Sequence, residues 1–254
     1  MGILERILST KRGELDALRD QQLPAAPPRR PLDLRRQPGE PLRLIAEIKH
    51  RSPSAGALST RLSVADRAQA YERGGARMIS VLCDRAFFDG SYEHLQQARG
   101  ACSLPLLCKE FVISELQLDR ARAFGADAVL LIVRCLEPQR LIELVRAARE
   151  RELVPFVEVV DERETELALT AGADLIGVNA RDLDTLVMDP ARAERVLQLL
   201  PKAVTAVHLS GLSKPEQIGE VARARPDAAL IGEALMRQDD PTPLLAALVS
   251  AAHP

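Results

Sequence analysis

The sequence of 254 residues lacks the features that mark several protein classes. No apolar run approaches the ~20 residues needed to cross a bilayer, so no membrane span is expected. Neither charge is in surplus: 34 basic residues against 36 acidic ones leave a net charge of −2. No bulk field therefore draws in nucleic acid or an anionic membrane. The four cysteines (Cys83, Cys102, Cys108, Cys135) show no metal-ligand spacing. So few in a chain of this length read as reduced thiols of a cytoplasmic protein. The opening MGILERILSTKRGEL carries a charge in every turn and reads as neither signal peptide nor membrane span. No Gly-rich turn follows the first apolar run, where an open dinucleotide-binding sheet would carry one.

What is present is repetition. The chain is 46 % hydrophobic, enough for one sizeable core. Residues 3–19 space Ile3, Leu4, Ile7, Leu8, Leu15 and Leu18 as on an amphipathic helix. Residues 23–41 hold six of the seventeen prolines and no periodicity, so a connecting segment is expected there. Its basic stretch RRPLDLRR (29–36) reads as a solvated linker.

From residue 42 onward, short apolar runs alternate with longer helical patterns. The runs are LRLIAEIK (42–49), RMISVLC (77–83), PLLCKEF (105–111), ADAVLLIV (126–133), VPFVEVV (154–160), DLIGVNA (174–180), AVTAVHL (203–209) and AALIG (228–232). Helical stretches include 64–75, 114–125, 137–150, 161–172, 214–224 and 241–252. Three junctions repeat one phrase, GGARMISV, FGADAVLLI and AGADLIGV, in which Gly ends a helix and a buried strand starts at once. Eight such units predict a single closed (β/α)8 barrel, residues 42–254, preceded by the helix and connecting segment of residues 1–41.

The barrel accounts for charges that a buried strand should not carry. Glu47 and Lys49 sit two apart at the end of strand 1 and so share a face. Lys109 ends strand 3, Glu158 lies late in strand 5, Asn179 ends strand 6 and Ser210 follows strand 7. Five of eight strands interrupt an apolar run at the same end, which in this fold is the mouth. Carboxylates and amines gathered there shift one another's proton affinities. Ser210-Gly211 and Gly232-Glu233 follow strands 7 and 8, where such barrels often hold phosphate on backbone N–H groups. In that role Glu233 would turn its carboxylate away.

These residues resemble the indole-3-glycerol phosphate synthase family over nearly the whole chain. The likeness rests on ILERILSTKRGEL, IAEIKHRSPSAG, SVLCDRAFFDGS, PLLCKEF, GADAVLLI, FVEV, GADLIGVNARDL, the SGL turn and IGEALMR. It implies ring closure, decarboxylation and dehydration of 1-(2-carboxyphenylamino)-1-deoxyribulose 5-phosphate, without metal or organic cofactor. By the resemblance Lys109 is the general acid, Lys49 lies near the substrate carboxylate, and Glu158 and Glu47 serve proton removal and the cationic intermediate. Asn179 orients substrate and Arg181 organises the mouth. Ser52, Ser210, Gly211, Gly232 and Glu233 fall where the family holds phosphate. Phe88, Phe111, Leu130, Leu183 and Leu186 match the walls around the anthranilate ring. Plainer roles exist for some: Phe111 and Leu130 as core, and Arg181 as a surface partner of Asp182 or Asp184. Cys108, next to Lys109, faces the helices as a packing thiol. The expected partner is a phosphorylated small molecule, and the expected assembly a monomer or weak oligomer.

The chain departs from the family where Glu-Ser-Gly usually follows strand 7. It reads VHLSGL, and strand parity turns Leu209 inward and His208 outward. One amide of the usual Asn-Asn-Arg-Asn-Leu is also missing, since 179–183 reads NARDL, and Cys108 replaces an Arg. A slowed synthase is therefore expected, and a repurposed paralogue that binds a phosphorylated ligand or a partner is the alternative. A phosphoribosyl isomerase would use Asp or Cys at strand ends, and no strand end offers Asp.

Overall fold

Each of the three repeated junctions turns on a glycine with positive φ: Gly75 (+92°), Gly125 (+98°) and Gly172 (+78°). Only glycine takes that left-handed conformation without a Cβ penalty, so each helix stops there and the chain re-enters the sheet. The structure, a computed structural model, describes residues 2–53, 55–59 and 61–253. Beside a short hairpin pairing Arg51–Ser52 with Gly56–Ala57, the described residues form eight barrel strands: β1 (Arg43–Ile48), β2 (Met78–Leu82), β3 (Leu106–Lys109), β4 (Ala128–Ile132), β5 (Val154–Val159), β6 (Leu175–Asn179), β7 (Thr205–Leu209) and β8 (Ala228–Ile231). They close into one parallel barrel in sequence order, with β8 pairing β1.

Several helices between strands start on side-chain caps that satisfy an N–H of the first turn. Ser63 accepts from the N–H of Asp66, Asp161 from that of Glu164, and Ser114 with Gln117 forms a capping box. Two further helices, Tyr92–Ala101 and Pro190–Leu199, follow β2 and β6.

Two apolar layers result. One lies between strands and helices and holds Val81, Cys83, Cys108, Val129, Val157 and Val178. Cys108 points there, its Sγ 3.5 Å from that of Cys83, as parity required. The other fills the barrel interior with Ile45, Met78, Leu107, Phe156, Val207, Leu209 and Leu230. In the β6–β7 register Leu209 stands opposite Asn179 and His208 opposite Val178, so Leu209 does face inward.

The leading helix α1 (Ile3–Arg19) occupies its predicted span, with Leu4 and Ile7 buried. The segment after it departs from the expected solvated linker. Leu34, 2 % exposed, joins the interior layer, a burial that contributes about 2 kcal/mol. Arg30 donates its N–H to Asp127 and its guanidinium to the carbonyls of Leu104 and Arg99. Arg36 likewise reaches Asp227 and the Ala224 carbonyl. Leu104, Asp127 and Asp227 precede β3, β4 and β8, so RRPLDLRR is a strap across the end of the barrel opposite the mouth. Charge composition alone gave no sign of it, because the guanidinium partners are backbone carbonyls from distant loops.

Candidate active site

Strand register brings the predicted polar residues together. Glu47, near the end of β1, is 1 % exposed and lies between two amines. Its Oε1 is 2.8 Å from Lys49 Nζ and its Oε2 2.7 Å from Lys109 Nζ. Ser80 of β2 adds a long 3.4 Å hydrogen bond to Oε2. Burial works against the Glu47 charge, yet Lys109 and Lys49 outweigh it and hold the carboxyl down at about 2. Burial also opposes the charge of Lys109, and Glu47 and Glu158 together keep its ammonium above the ordinary lysine value.

Across the mouth a second chain of hydrogen bonds runs through Asn179. Its Nδ2 donates to Glu158 Oε1 (2.8 Å), and its Oδ1 accepts from Ser210 Oγ (2.8 Å) and from the N–H of Arg181 (2.9 Å). With both ends of the amide engaged, its orientation is fixed. Burial lifts the Glu158 carboxyl above its ordinary value, against the opposing pull of Lys109 and of the Asn179 hydrogen bond. The two carboxylates thus differ sharply: Glu47 holds its charge, and Glu158 has a raised affinity for a proton. Such separation is the usual mark of an acid–base site.

Every residue the sequence assigned to the site lines one of two adjoining cavities at the mouth. The first is bounded by the charged groups together with Ser52, Phe88, Phe111, Leu130, Leu183 and Leu186. Phe88 and Phe111 face each other at 6.0 Å between ring centroids. Phe111 and Leu130 are core and wall at once, buried in the interior layer and exposed to the cavity only at its floor. Ser52 Oγ accepts from the N–H of Ala55 (3.1 Å). The second cavity adds Leu209, Gly211, Gly232 and Glu233. Ser210 has φ +79° and Gly211 +88°. A left-handed serine is uncommon and strained, and such residues cluster at functional sites. Gly232 is required by proximity: a Cβ there would lie 2.6 Å from Glu47 Oε1. The Glu233 carboxylate turns away to the Arg237 guanidinium (2.7 Å).

Arg181 keeps to the mouth and donates to the Leu186 carbonyl (3.1 Å). Asp182, its suspected surface partner, pairs instead with Arg134 (2.7 Å), which also reaches Glu164 (2.8 Å) and so ties the loops after β4, β5 and β6. Burial weighs against the Asp182 charge, but backbone N–H groups and Arg134 hold its carboxyl well below the usual range. Sequence reasoning passed over Arg134, although it ends an apolar run as the other mouth residues do. Ile3, Leu4 and Ile7, which the sequence marks as the apolar face of the leading helix, are laid by α1 against the first cavity.

Comparison with known proteins points to one family. A family model described as indole-3-glycerol phosphate synthase matches residues 4–248. An indole-3-glycerol phosphate synthase of an Exiguobacterium species is 41 % identical over 96 % of this chain and 95 % of its own length. Indole-3-glycerol phosphate synthase 2 of Streptomyces coelicolor is 45 % identical over 89 % of this chain and 87 % of its own. Among solved structures, 3-hexulose-6-phosphate synthase of Salmonella typhimurium superposes with a TM-score of 0.66 at 14 % identity, covering 83 % of this chain and 98 % of its own. That likeness carries the barrel fold alone. By sequence over nearly its full length, the chain belongs to the indole-3-glycerol phosphate synthase family.

Proposed function

We propose that the mouth residues divide the indole-3-glycerol phosphate synthase reaction among themselves as follows. The substrate, 1-(2-carboxyphenylamino)-1-deoxyribulose 5-phosphate, carries a phosphate and a carboxylate. Lys49, Lys109 and Arg181 face it against Glu47 and a Glu158 that readily takes a proton, so the mouth is suited to an anion. The phosphate rests on the backbone of Ser210-Gly211 and Gly232-Glu233, with Ser52 beside it. Phe88, Phe111, Leu130, Leu183 and Leu186 enclose the anthranilate ring and exclude water.

Ring closure joins the ring carbon bearing the carboxylate to the ketone carbon. Lys109, kept protonated by Glu47 and Glu158, delivers a proton to the ketone oxygen as the bond forms. Carbon dioxide then leaves, returning its electron pair to the ring. The new hydroxyl departs as water with a proton from Lys49, while Glu158 takes up the proton lost from the adjacent ring carbon. Lys49 holds the carboxylate in the first stage and remains near the hydroxyl in the last. Glu47 keeps both lysines in place and balances the developing cation.

One observation carries this reading: a fully buried carboxylate clamped between two lysines, with a second carboxylate of raised proton affinity across the mouth. The family gives the repurposed-paralogue alternative no support. The chain has no tryptophan, so indole fluorescence reports product against a quiet background. In single turnover, wild type is expected to form indole, and Lys109→Ala to lose at least ~10²-fold in rate. A Lys109→Ala variant with wild-type turnover would remove Lys109 from the role of acid. Substrate binding without indole formation in wild type would mean a pocket that has lost its chemistry.

A further inference from the structure

α1 carries one residue that an amphipathic helix should not bury. Lys11 is 1 % exposed, and its Nζ lies 2.7 Å from Asp84 Oδ2, 3.1 Å from Glu110 Oε1 and 2.9 Å from Glu14 Oε2. Asp84 and Glu110 are themselves buried, at 0 % and 4 % exposure, whereas Glu14 reaches solvent. A buried ammonium is tolerated only with such partners.

What Lys11 holds is the catalytic mouth. Ile7 and Leu4, four and seven residues earlier, lie on the same stripe of the helix and are laid against the mouth cavity. Asp84 follows β2, and its Oδ1 accepts the N–H of Phe87 (2.7 Å), starting the short helix Arg85–Phe88 that presents Phe88. Glu110 lies between Lys109 and Phe111 in the chain, and its Oε1 accepts the N–H of Phe111 (2.7 Å). One ammonium thus joins the helix that borders the mouth, the aromatic wall and the segment bearing the proposed general acid. Burial, with the Asp84 charge behind it, outweighs Lys11 and pushes the Glu110 carboxyl up to about 7. Two buried acids at this spot therefore depend on that one cation.

We infer that Lys11 is a positioning residue for the reaction: held between Asp84 and Glu110, it fixes α1 over the mouth and sets the chain segment that carries Lys109 and Phe111. The inference rests on the synthase reading above. Without the tie, α1 sits over the mouth less often and Lys109 sits less well against the ketone oxygen, so KM and kcat change together.

The test compares steady-state kinetics and thermal melts of wild type, Lys11→Met, and the triple variant Lys11→Met/Asp84→Asn/Glu110→Gln. The triple removes all three buried charges with side chains of similar shape and retains an acceptor for Phe87, so it keeps the experiment open if Lys11→Met alone does not fold. The expected result, below the melting temperature, is a rise in KM of roughly 10-fold with a several-fold fall in kcat in each folded variant. A purely structural tie would move the melting temperature alone. A folded variant with the KM and kcat of wild type overturns the inference. Wild type that forms no indole would instead count against the synthase reading, which the same assay shows first.

Discussion

Replacing Glu47 by Gln tests the centre of the site. The substitution keeps shape and hydrogen-bonding capacity but removes the charge between Lys49 and Lys109. A carboxyl held at about 2 against an ordinary 4.5 corresponds to roughly 3 kcal/mol in favour of the charged folded form. For a chain of this size that is a fall in melting temperature of roughly 6–12 °C at neutral pH. The pH dependence has a definite sign. A lowered carboxyl contributes stability that is present above the ordinary carboxyl value and lost as pH falls through about 2. The stability gap between wild type and variant should therefore be widest above pH ~4.5 and close as the pH approaches 2. Catalysis should fall for a separate reason. Without Glu47, burial of Lys109 is opposed by Glu158 alone, so the ammonium gives up its proton more readily. The alkaline limb of the kcat/KM profile then moves to lower pH. Loss of position adds to this, and a displacement of about 1 Å costs ~10²-fold. The assay is indole fluorescence across pH 5–10, paired with acid titration of the melts. An Glu47→Gln protein with wild-type melting temperature, kcat/KM within about threefold and an unmoved alkaline limb would refute the clamp.

Leu209→Glu puts a carboxylate at the end of β7, where the family resemblance leads one to expect it. Leu209 is tightly packed over Gly177, where a Cβ would lie 2.6 Å from Leu209 Cδ1, but it also lines the second cavity, so a carboxylate there would turn into the mouth. Turnover should rise by about 10-fold or more while stability falls, and a folded variant with no gain in single turnover would show that position 209 carries no catalytic cost. Gly232→Ala should push the loop after β8 off Glu47, whose carboxylate is held in place by two lysines. KM should rise roughly 10-fold with less change in kcat, and inhibition by inorganic phosphate should weaken in parallel. Unchanged values of both would place phosphate elsewhere.

The periodic elements were legible because their causes are local. Short, continuously buried apolar runs mark the strands, capping residues start several of the helices, and a left-handed glycine ends them at the three repeated junctions. The interruptions of apolar runs by Glu47, Lys49, Lys109, Glu158 and Asn179 followed from the same pattern, since strand parity at a barrel mouth is fixed by register. Parity likewise placed Leu209 inward and Cys108 outward. The strap of residues 29–36 was misread as solvated because the sequence records the arginines and not the carbonyls they meet. Lys11 was unremarkable for a similar reason: on a helix alone it is one more surface lysine. Its partners lie 73 and 99 positions away, at the ends of β2 and β3. The sequence by itself therefore determined the barrel, the inventory of its mouth and the family. Only the tertiary structure decided which charges touch, because Coulomb forces and burial depend on distances of a few ångströms that chain closure sets. That closure lowered the Glu47 carboxyl between two lysines, raised the proton affinity of Glu158, and buried a lysine of the leading helix against Asp84 and Glu110.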